Sequence, residues 1–291
     1  MNTTSIFFVH RSNSIYLKYT LRQARFYNPH APIYLIGDES NNQYDFVTHI
    51  NIEDYFESAG EFSKHYVHMS FTPQKFEQFC FERWFIIKDF VKKNKVEQFL
   101  CLDSDVLLFC NANEVKDKYN SYEFTIRGNC GAGLNYFSSI KALEEFCDYT
   151  SKHYTNPEFF HILELNWAGY QERKHGGVCD MLLLALYLEE NKEKIGDVGK
   201  IENNTIFEYC ILDVFQNNEK IIYKKGIPYV LKKENKNWLK LKSFHINVEK
   251  DKMYLYYTAG RLYKERFTDW VKDMRDKYQL RTRIKKILGR S

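Results

Sequence analysis

The stretch FERWFIIKDFVKKNKVEQFLCLDSDVLLF, residues 81–109, decides how the rest of the chain is read. It lies within a pattern that begins at Gln74. Phe76, Phe79, Cys80, Arg83, Trp84, Ile87 and Val91 recur at intervals of three and four, which predicts a helix over Gln74–Lys93. Gln98–Leu102 (QFLCL) is a continuous apolar run of the kind that forms a strand buried on both faces. Asp103-Ser104-Asp105 interrupts the run and Val106–Phe109 resumes it. Carboxylates inside an apolar run are costly to bury unless something compensates their charge. A divalent cation does so, and oxygen ligands suit Mg²⁺ or Mn²⁺, which keep part of their coordination for phosphate oxygens. The same aspartates also read as strand-end residues that cap a turn or a following helix.

Towards the N-terminus, Ser5–Val9 (SIFFV) reads as a strand that ends at His10-Arg11-Ser12-Asn13. Ser14 is a candidate cap for a helix running to Tyr27, with Ile15, Leu17, Leu21 and Ala24 on its apolar face. Asn28-Pro29-His30 breaks that helix, and Pro32–Ile36 (PIYLI) forms a second strand stopped by Gly37-Asp38. A weaker strand lies around Phe46–Ile50, before an irregular aromatic stretch to Pro73. Strands alternating with helices predict an α/β fold: one domain with a mostly parallel central sheet and helices on both faces. In such sheets ligands sit beyond the carboxyl ends of the strands. His10–Asn13, Gly37-Asp38 and Asp103–Asp105 all fall at those ends.

The second half has a different texture. Glu123–Ile126 reads as a strand, followed by Gly128-Asn129-Cys130-Gly131-Ala132-Gly133 and the apolar segment Leu134–Phe137. Cys179–Glu190 is a helix after His175-Gly176-Gly177, and Lys242–Val248 is the last strand of the core. No internal repeat is visible, and no domain boundary falls before about residue 260.

Composition narrows the class. Hydrophobic residues make up 44% of the 291 and aromatics 17%, enough for a sizeable packed core, and a net charge of +4 spread along the chain gives no footprint for nucleic acid. Cysteines stand at 80, 101, 110, 130, 147, 179 and 210 with no C-x-x-C spacing, a pattern of reduced thiols and not of a disulfide framework or zinc site. The N-terminus lacks a basic n-region, and no apolar run reaches the ~20 residues of a membrane span. The expectation is a soluble, cytoplasmic protein.

Residues 81–109 resemble the helix–strand–DxD segment of the GT-A (Rossmann-like) glycosyltransferases, and most of all the glycogenin and bacterial lipooligosaccharide galactosyltransferase group. Arg83 stands at that group's helix Arg, which implies that it faces the donor nucleotide or its phosphates. Gly131-Ala132-Gly133-Leu134-Asn135-Tyr136-Phe137 is similar to the group's N-A-G strand, with Gly131 in place of the usual Asn. Asp180, opening DMLLLALYL, resembles the acidic residue of the D-Q-D-x-L-N segment, and His245 in SFHIN the histidine of H-F-x-G. The pattern departs at Val248, where Gly is usual, and at Asp251, where the group has Lys; the flanking Lys250 or Lys252 is then the phosphate-binding candidate.

The resemblance implies a GT-A catalytic domain over 1–260, nucleotide-sugar-binding to about 110 and acceptor-binding beyond, followed by a tail at 261–291. It implies Mn²⁺ or Mg²⁺ held by Asp103, Asp105 and His245, and a sugar moved from a nucleoside diphosphate sugar, a UDP-hexose, to a glycan or glycolipid acceptor. Likeness to the glycogenin-like group points to retention of anomeric configuration, with inversion the alternative. Arg83 or Lys250 would help the metal stabilise the departing diphosphate. His10, Arg11, Ser12 and Ser104 are placed to meet the donor, and Asp38 to bind a base or ribose. Gly131 and Gly133 allow close approach to the sugar, and Asp180 is the acidic candidate beside it. Each also has a plain structural reading: turn chemistry for Gly37-Asp38, a bulge for the glycines, a helix-start carboxylate for Asp180. The tail from Lys277 carries Arg281, Arg283, Lys285, Lys286 and Arg290 between Leu280, Ile284, Ile287 and Leu288. This reads either as a basic amphipathic helix on the inner face of an anionic membrane or as a solvated terminal segment. Two other classes stay open: a phosphohydrolase of the haloacid-dehalogenase type, with its own D-x-D after a strand, and a non-catalytic nucleotide- or carbohydrate-binding protein.

Overall fold

The computed structural model describes residues 3–128, 131–217, 219–232 and 236–247. In chain order the first half contains β1 (Ser5–His10), α1 (Leu17–Tyr27), β2 (Ile33–Gly37), β3 (Thr48–Asn51), α2 (Glu57–Ser63), α3 (Gln74–Asn94), β4 (Phe99–Leu102), β5 (Val106–Leu108) and α4 (Ala112–Tyr119). Then come β6 (Phe124–Ile126), β7 (Leu134–Phe137), α5 (Ile140–Thr155), α6 (Pro157–Arg173), α7 (Asp180–Glu190) and β8 (Ile195–Asp197). The remainder is β9 (Thr205–Ile206), β10 (Tyr209–Cys210), α8 (Ile211–Gln216), β11 (Lys220–Lys224), β12 (Ile227–Leu231), β13 (Trp238–Leu241) and β14 (Ser243–His245).

The main sheet has seven strands in the order β3-β2-β1-β4-β7-β6-β8. β3, β2, β1 and β4 run parallel, β7 is antiparallel to both β4 and β6, and β8 is parallel to β6. The apolar runs explain the centre of this sheet. Strand side chains alternate between faces, so a strand that is apolar at every position buries both. Phe7, Ile36, Phe99 and Cys101 face one core, shared with Phe81, Trp84, Phe85 and Val91 of α3. Ile6, Phe8, Leu35, Leu100 and Leu102 face the other, under Leu17, Leu21 and Ala24 of α1 and Val115 of α4.

The chain changes sheet at Asp103-Ser104-Asp105. Val106–Phe109, expected as the same strand resumed, instead enters a three-stranded sheet ordered β10-β14-β5. The backbone hydrogen bonds mark the step. Asp103 N–H still donates to Gly133 O (3.0 Å), prolonging the β4–β7 pairing, whereas Ile246 N–H donates to Asp105 O (3.0 Å), prolonging β14–β5. Leu107 and Phe109 turn into a third core with Ile206, Ile211, Val230, Leu239 and Phe244. A four-stranded sheet, β11-β12-β13-β9, covers it.

Several expectations are corrected. Ser14 does not cap α1. Tyr16 occupies that position without a side-chain cap bond, and Ile15, which lies before the helix, is 62% exposed. The last core strand is shorter than expected, Ser243–His245, and Val248 lies outside the described residues. The α5–α6 hairpin and the sheet formed by β9 and β11–β13 had no counterpart in the sequence reading. The six cysteines among the described residues are free, and no helix there is long and apolar enough to cross a membrane. Lys250, Lys252, Asp251, the boundary near 260 and the basic tail lie outside the described residues.

Candidate metal centre at the carboxyl end of the sheet

The change of sheet brings the three proposed ligands together. Asp103 and Asp105 bracket the step from β4 to β5, and β14 pairs antiparallel to β5 with His245 opposite Val106. His245 Nε2 is therefore 3.1 Å from Asp105 Oδ1 and 4.0 Å from Asp103 Oδ2. One ligand atom from each of the three residues falls within 4.8 Å of the others. Carboxylate oxygens with one imidazole nitrogen form a donor set suited to Mg²⁺ or Mn²⁺, so the residues fit such an ion. Burial pushes the His245 pKa down, but the carboxylates of Asp105, Glu208 and Asp103 outweigh it and hold the pKa well above the usual imidazole value. Burial and the neighbouring Asp105 push Asp103 up, against the pull of Arg83 and His245.

Arg83 ties the centre to α7. One terminal nitrogen pairs with Asp103 Oδ1, and the other lies 2.7 Å from Asp180 Oδ2, which also accepts the Trp84 indole N–H at 3.0 Å. The guanidinium rests on the Trp84 ring, 4.7 Å from its centroid. Burial acts against its charge, but Asp103 and Asp180 raise its pKa well above the usual value. Asp180 is buried at the first residue of α7, so the helix-start reading of it holds alongside its pairing with Arg83.

The first strand's end is built differently. Ser12 adopts φ 69° and donates its N–H to Asp38 Oδ2 at 2.6 Å, while Asp38 Oδ1 accepts from Ser40 N–H (2.9 Å) and the Ser40 hydroxyl. Both oxygens of Asp38 thus clasp the loops after β1 and β2. Burial raises its pKa, but the bonds from Ser40 and Ser12 outweigh that and leave it below the usual carboxylate range. Asn41, fully buried, donates to His10 O (2.8 Å) and Ser12 O (2.9 Å) and completes the clasp. His10 Nε2 lies 3.1 Å from Ser14 Oγ. The Ser104 hydroxyl lies 3.4 Å from Tyr16 OH, linking α1 to the metal centre. Arg11 points elsewhere: it stacks over Phe79 and Phe56 and lies 3.7 Å from Glu82 Oε2. Arg83 thus pairs with Asp103 directly, whereas Arg11 lies against Glu82.

Of the two glycines, Gly131 bridges to Arg127, and a Cβ there would lie 2.5 Å from Arg127 Cβ. A Cβ on Gly133 would lie 2.5 Å from Glu208 Oε1 and 2.8 Å from His245 Nδ1. The close approach that Gly133 permits is thus to these two side chains. Glu208, which the sequence reading missed, is 0% exposed, and its Oε1 is 3.5 Å from His245 Nδ1. It sits in the apolar run IFEYCIL, so the burial-cost argument that singled out Asp103-Ser104-Asp105 applied to it as well.

No protein-family sequence profile and no curated protein sequence matches the chain. Solved structures do. Mouse xyloside xylosyltransferase 1, in its apo form, superposes with a TM-score of 0.50 at 11% identity, over 85% of this chain and 99% of that one. LgtC, a galactosyltransferase crystallised with donor and acceptor sugar analogues, aligns with a TM-score of 0.46 at 12% identity, over 93% of this chain and 96% of its own. A glycosyltransferase involved in glycosylation of the major capsid of PBCV-1 aligns with a TM-score of 0.43 at 12% identity, over 87% and 98%. At such identities the likeness is one of fold, and it runs through nearly the whole of the mouse protein. With its mixed, mostly parallel sheet, its helices on both faces and its likeness to the mouse xylosyltransferase, the chain has the GT-A glycosyltransferase fold.

Proposed function

We propose that the protein is a divalent-metal-dependent glycosyltransferase that moves a hexose from a nucleoside diphosphate, UDP in the first instance, to a glycan or lipid-linked glycan acceptor with retention of configuration. The observation that carries the reading is the convergence of Asp103, Asp105 and His245 within 4.8 Å at the strand ends. The xylosyltransferase likeness supports it by fold-level analogy.

Asp103, Asp105 and His245 would hold Mn²⁺ or Mg²⁺. When bound, the ion neutralises charge that develops on the departing diphosphate. Arg83, fixed between Asp103 and Asp180, supplies a preorganised positive charge beside the same oxygens, so no reorganisation is needed as the bond breaks. Asp180 is the second carboxylate paired with Arg83; it orients a hydroxyl of the transferred sugar and stabilises positive charge at its anomeric carbon. The loop clasped by Asp38 and Asn41 presents His10 and Ser12 to the nucleoside and diphosphate, and Ser104, between β4 and β5, meets the same donor. Lys250 is the further phosphate-binding candidate.

The test is thermal shift and donor hydrolysis with Mn²⁺ and a panel of nucleoside diphosphate sugars. Stabilisation by a nucleoside diphosphate that depends on Mn²⁺ is expected, and Asp105→Ala should abolish it. No stabilisation of the wild type by any nucleoside diphosphate with metal present overturns the proposal, and product anomericity by NMR decides retention.

A further inference from the structure

We propose that Glu208 is a positioning residue for the metal centre. It accepts the Nδ1 proton of His245 and thereby selects the tautomer whose Nε2 lone pair faces Asp103 and Asp105. The inference rests on the metal reading above, but it is carried by its own geometry. Glu208 is wholly buried, and its backbone is pinned by a bond from its N–H to Val198 O at 3.0 Å. Its Oε2 accepts the Leu134 N–H at 3.0 Å, while Oε1 accepts no hydrogen bond among the described residues and lies 3.5 Å from His245 Nδ1. A buried carboxylate oxygen without a donor is costly. The nearby ring nitrogen relieves that cost only as N–H, and with a cation seated between Nε2 and Asp105 the ring's one remaining proton belongs on Nδ1.

Gly133 shows that the contact is built into the fold. A Cβ at this position would lie 2.5 Å from Oε1 and 2.8 Å from Nδ1, so any other residue would push the two apart. On the opposite side of the ring, Nε2 lies 3.1 Å from Asp105 Oδ1, on the side where the cation ligands gather. An imidazole that gives one N–H to a carboxylate is held in orientation and is made a better ligand through its other nitrogen. Glu208→Gln cannot reproduce this: with one carbonyl oxygen it can accept from Leu134 N–H or from His245 Nδ1–H, not from both.

The experiment measures Mn²⁺ affinity of the full chain by the EPR signal of free Mn²⁺, and the His245 tautomer by ¹⁵N NMR at a concentration of diamagnetic Mg²⁺ that saturates the wild type. In the wild type, Nδ1 is expected to carry the proton. In Glu208→Gln the proton should shift towards Nε2, and Mn²⁺ affinity should fall about tenfold or more. Unchanged affinity and tautomer in a folded Glu208→Gln protein overturn the role of Glu208 and leave the metal reading standing. A wild type that binds no Mn²⁺ overturns the metal reading, and this inference with it. Should Glu208→Gln fail to fold, the wild-type spectrum still decides: a proton on Nε2 overturns the proposal.

Discussion

Arg83 and Asp180, 97 residues apart in sequence, meet at 2.7 Å beneath the sheet ends, and the other arm of Arg83 holds Asp103. The helix that carries the arginine and the helix that begins with the aspartate are thus locked to the first residue of the metal centre. Arg83→Ala leaves two poorly exposed carboxylates without their cation, a loss of roughly 3–5 kcal/mol for a buried pair. Arg83→Lys keeps a charge but cannot bridge both partners with a planar fork. Calorimetry should show a large fall in Tm for the alanine variant and a smaller one for lysine, with nucleotide-dependent stabilisation weakened in both. A Tm within a degree of wild type for Arg83→Ala would show that the bridge contributes little.

Metal affinity should depend on pH in the neutral range. The folded His245 value lies well above the usual one because Asp105, Glu208 and Asp103 outweigh the effect of burial. Without a cation, the charged ring stabilises the fold at low pH, and this contribution is lost as pH rises through the raised value. A cation needs the ring neutral, so each bound ion displaces a proton and affinity falls by about tenfold per pH unit below that value. Mn²⁺ titrations between pH 6 and 9 check this; affinity independent of pH over that window would contradict it.

Asp38 acts in the opposite sense. Its carboxyl lies below the usual range because bonds from Ser40 and Ser12 outweigh its partial burial. Its stabilising contribution is present above the unfolded value and is lost as pH falls through the folded one. The group is partly exposed, so Asp38→Asn should cost about 1 kcal/mol or less at neutral pH. The difference in Tm from wild type should close as pH falls through the folded value. A difference that persists in acid would mean that shape, not charge, holds the clasp.

Gly133→Ala should do more damage than its single methyl suggests. The added Cβ meets Glu208 Oε1 and His245 Nδ1 inside contact distance. Overpacking of this kind costs about 1–3 kcal/mol, and here it falls on the residues that set the metal ligand. Both Tm and Mn²⁺ affinity should drop. Lowered stability with unchanged affinity would separate Gly133 from the centre.

Much of the sheet and of the site was legible before the structure. The runs IFFV, IYLI and FLCL within the first, second and fourth strands are apolar or aromatic at every position and so read as strands covered on both faces, and α3 showed its spacing over about four turns. Asp103-Ser104-Asp105 stood out because charge inside an apolar run needs an explanation. The α5–α6 hairpin did not show itself, because α6 buries only Leu163 and its apolar residues mark no clean face. The short strands β9 to β13 were also hidden, since two to five residues each give too little periodicity to read.

Resemblance to the GT-A glycosyltransferases supplied Arg83, Asp180 and His245 as candidate companions; the sequence by itself determined that two carboxylates would stand at the end of a buried strand. Local pattern suffices for this, because burial and periodicity act within a few residues. Only the tertiary structure decided that the chain changes sheet at Asp103–Asp105, which sets His245 opposite Val106 and within reach of both aspartates. It also brought Glu208 behind that histidine, across the space left by Gly133. Contacts between residues 37 to 97 apart are fixed by strand register and core packing, and no segment carries that information alone.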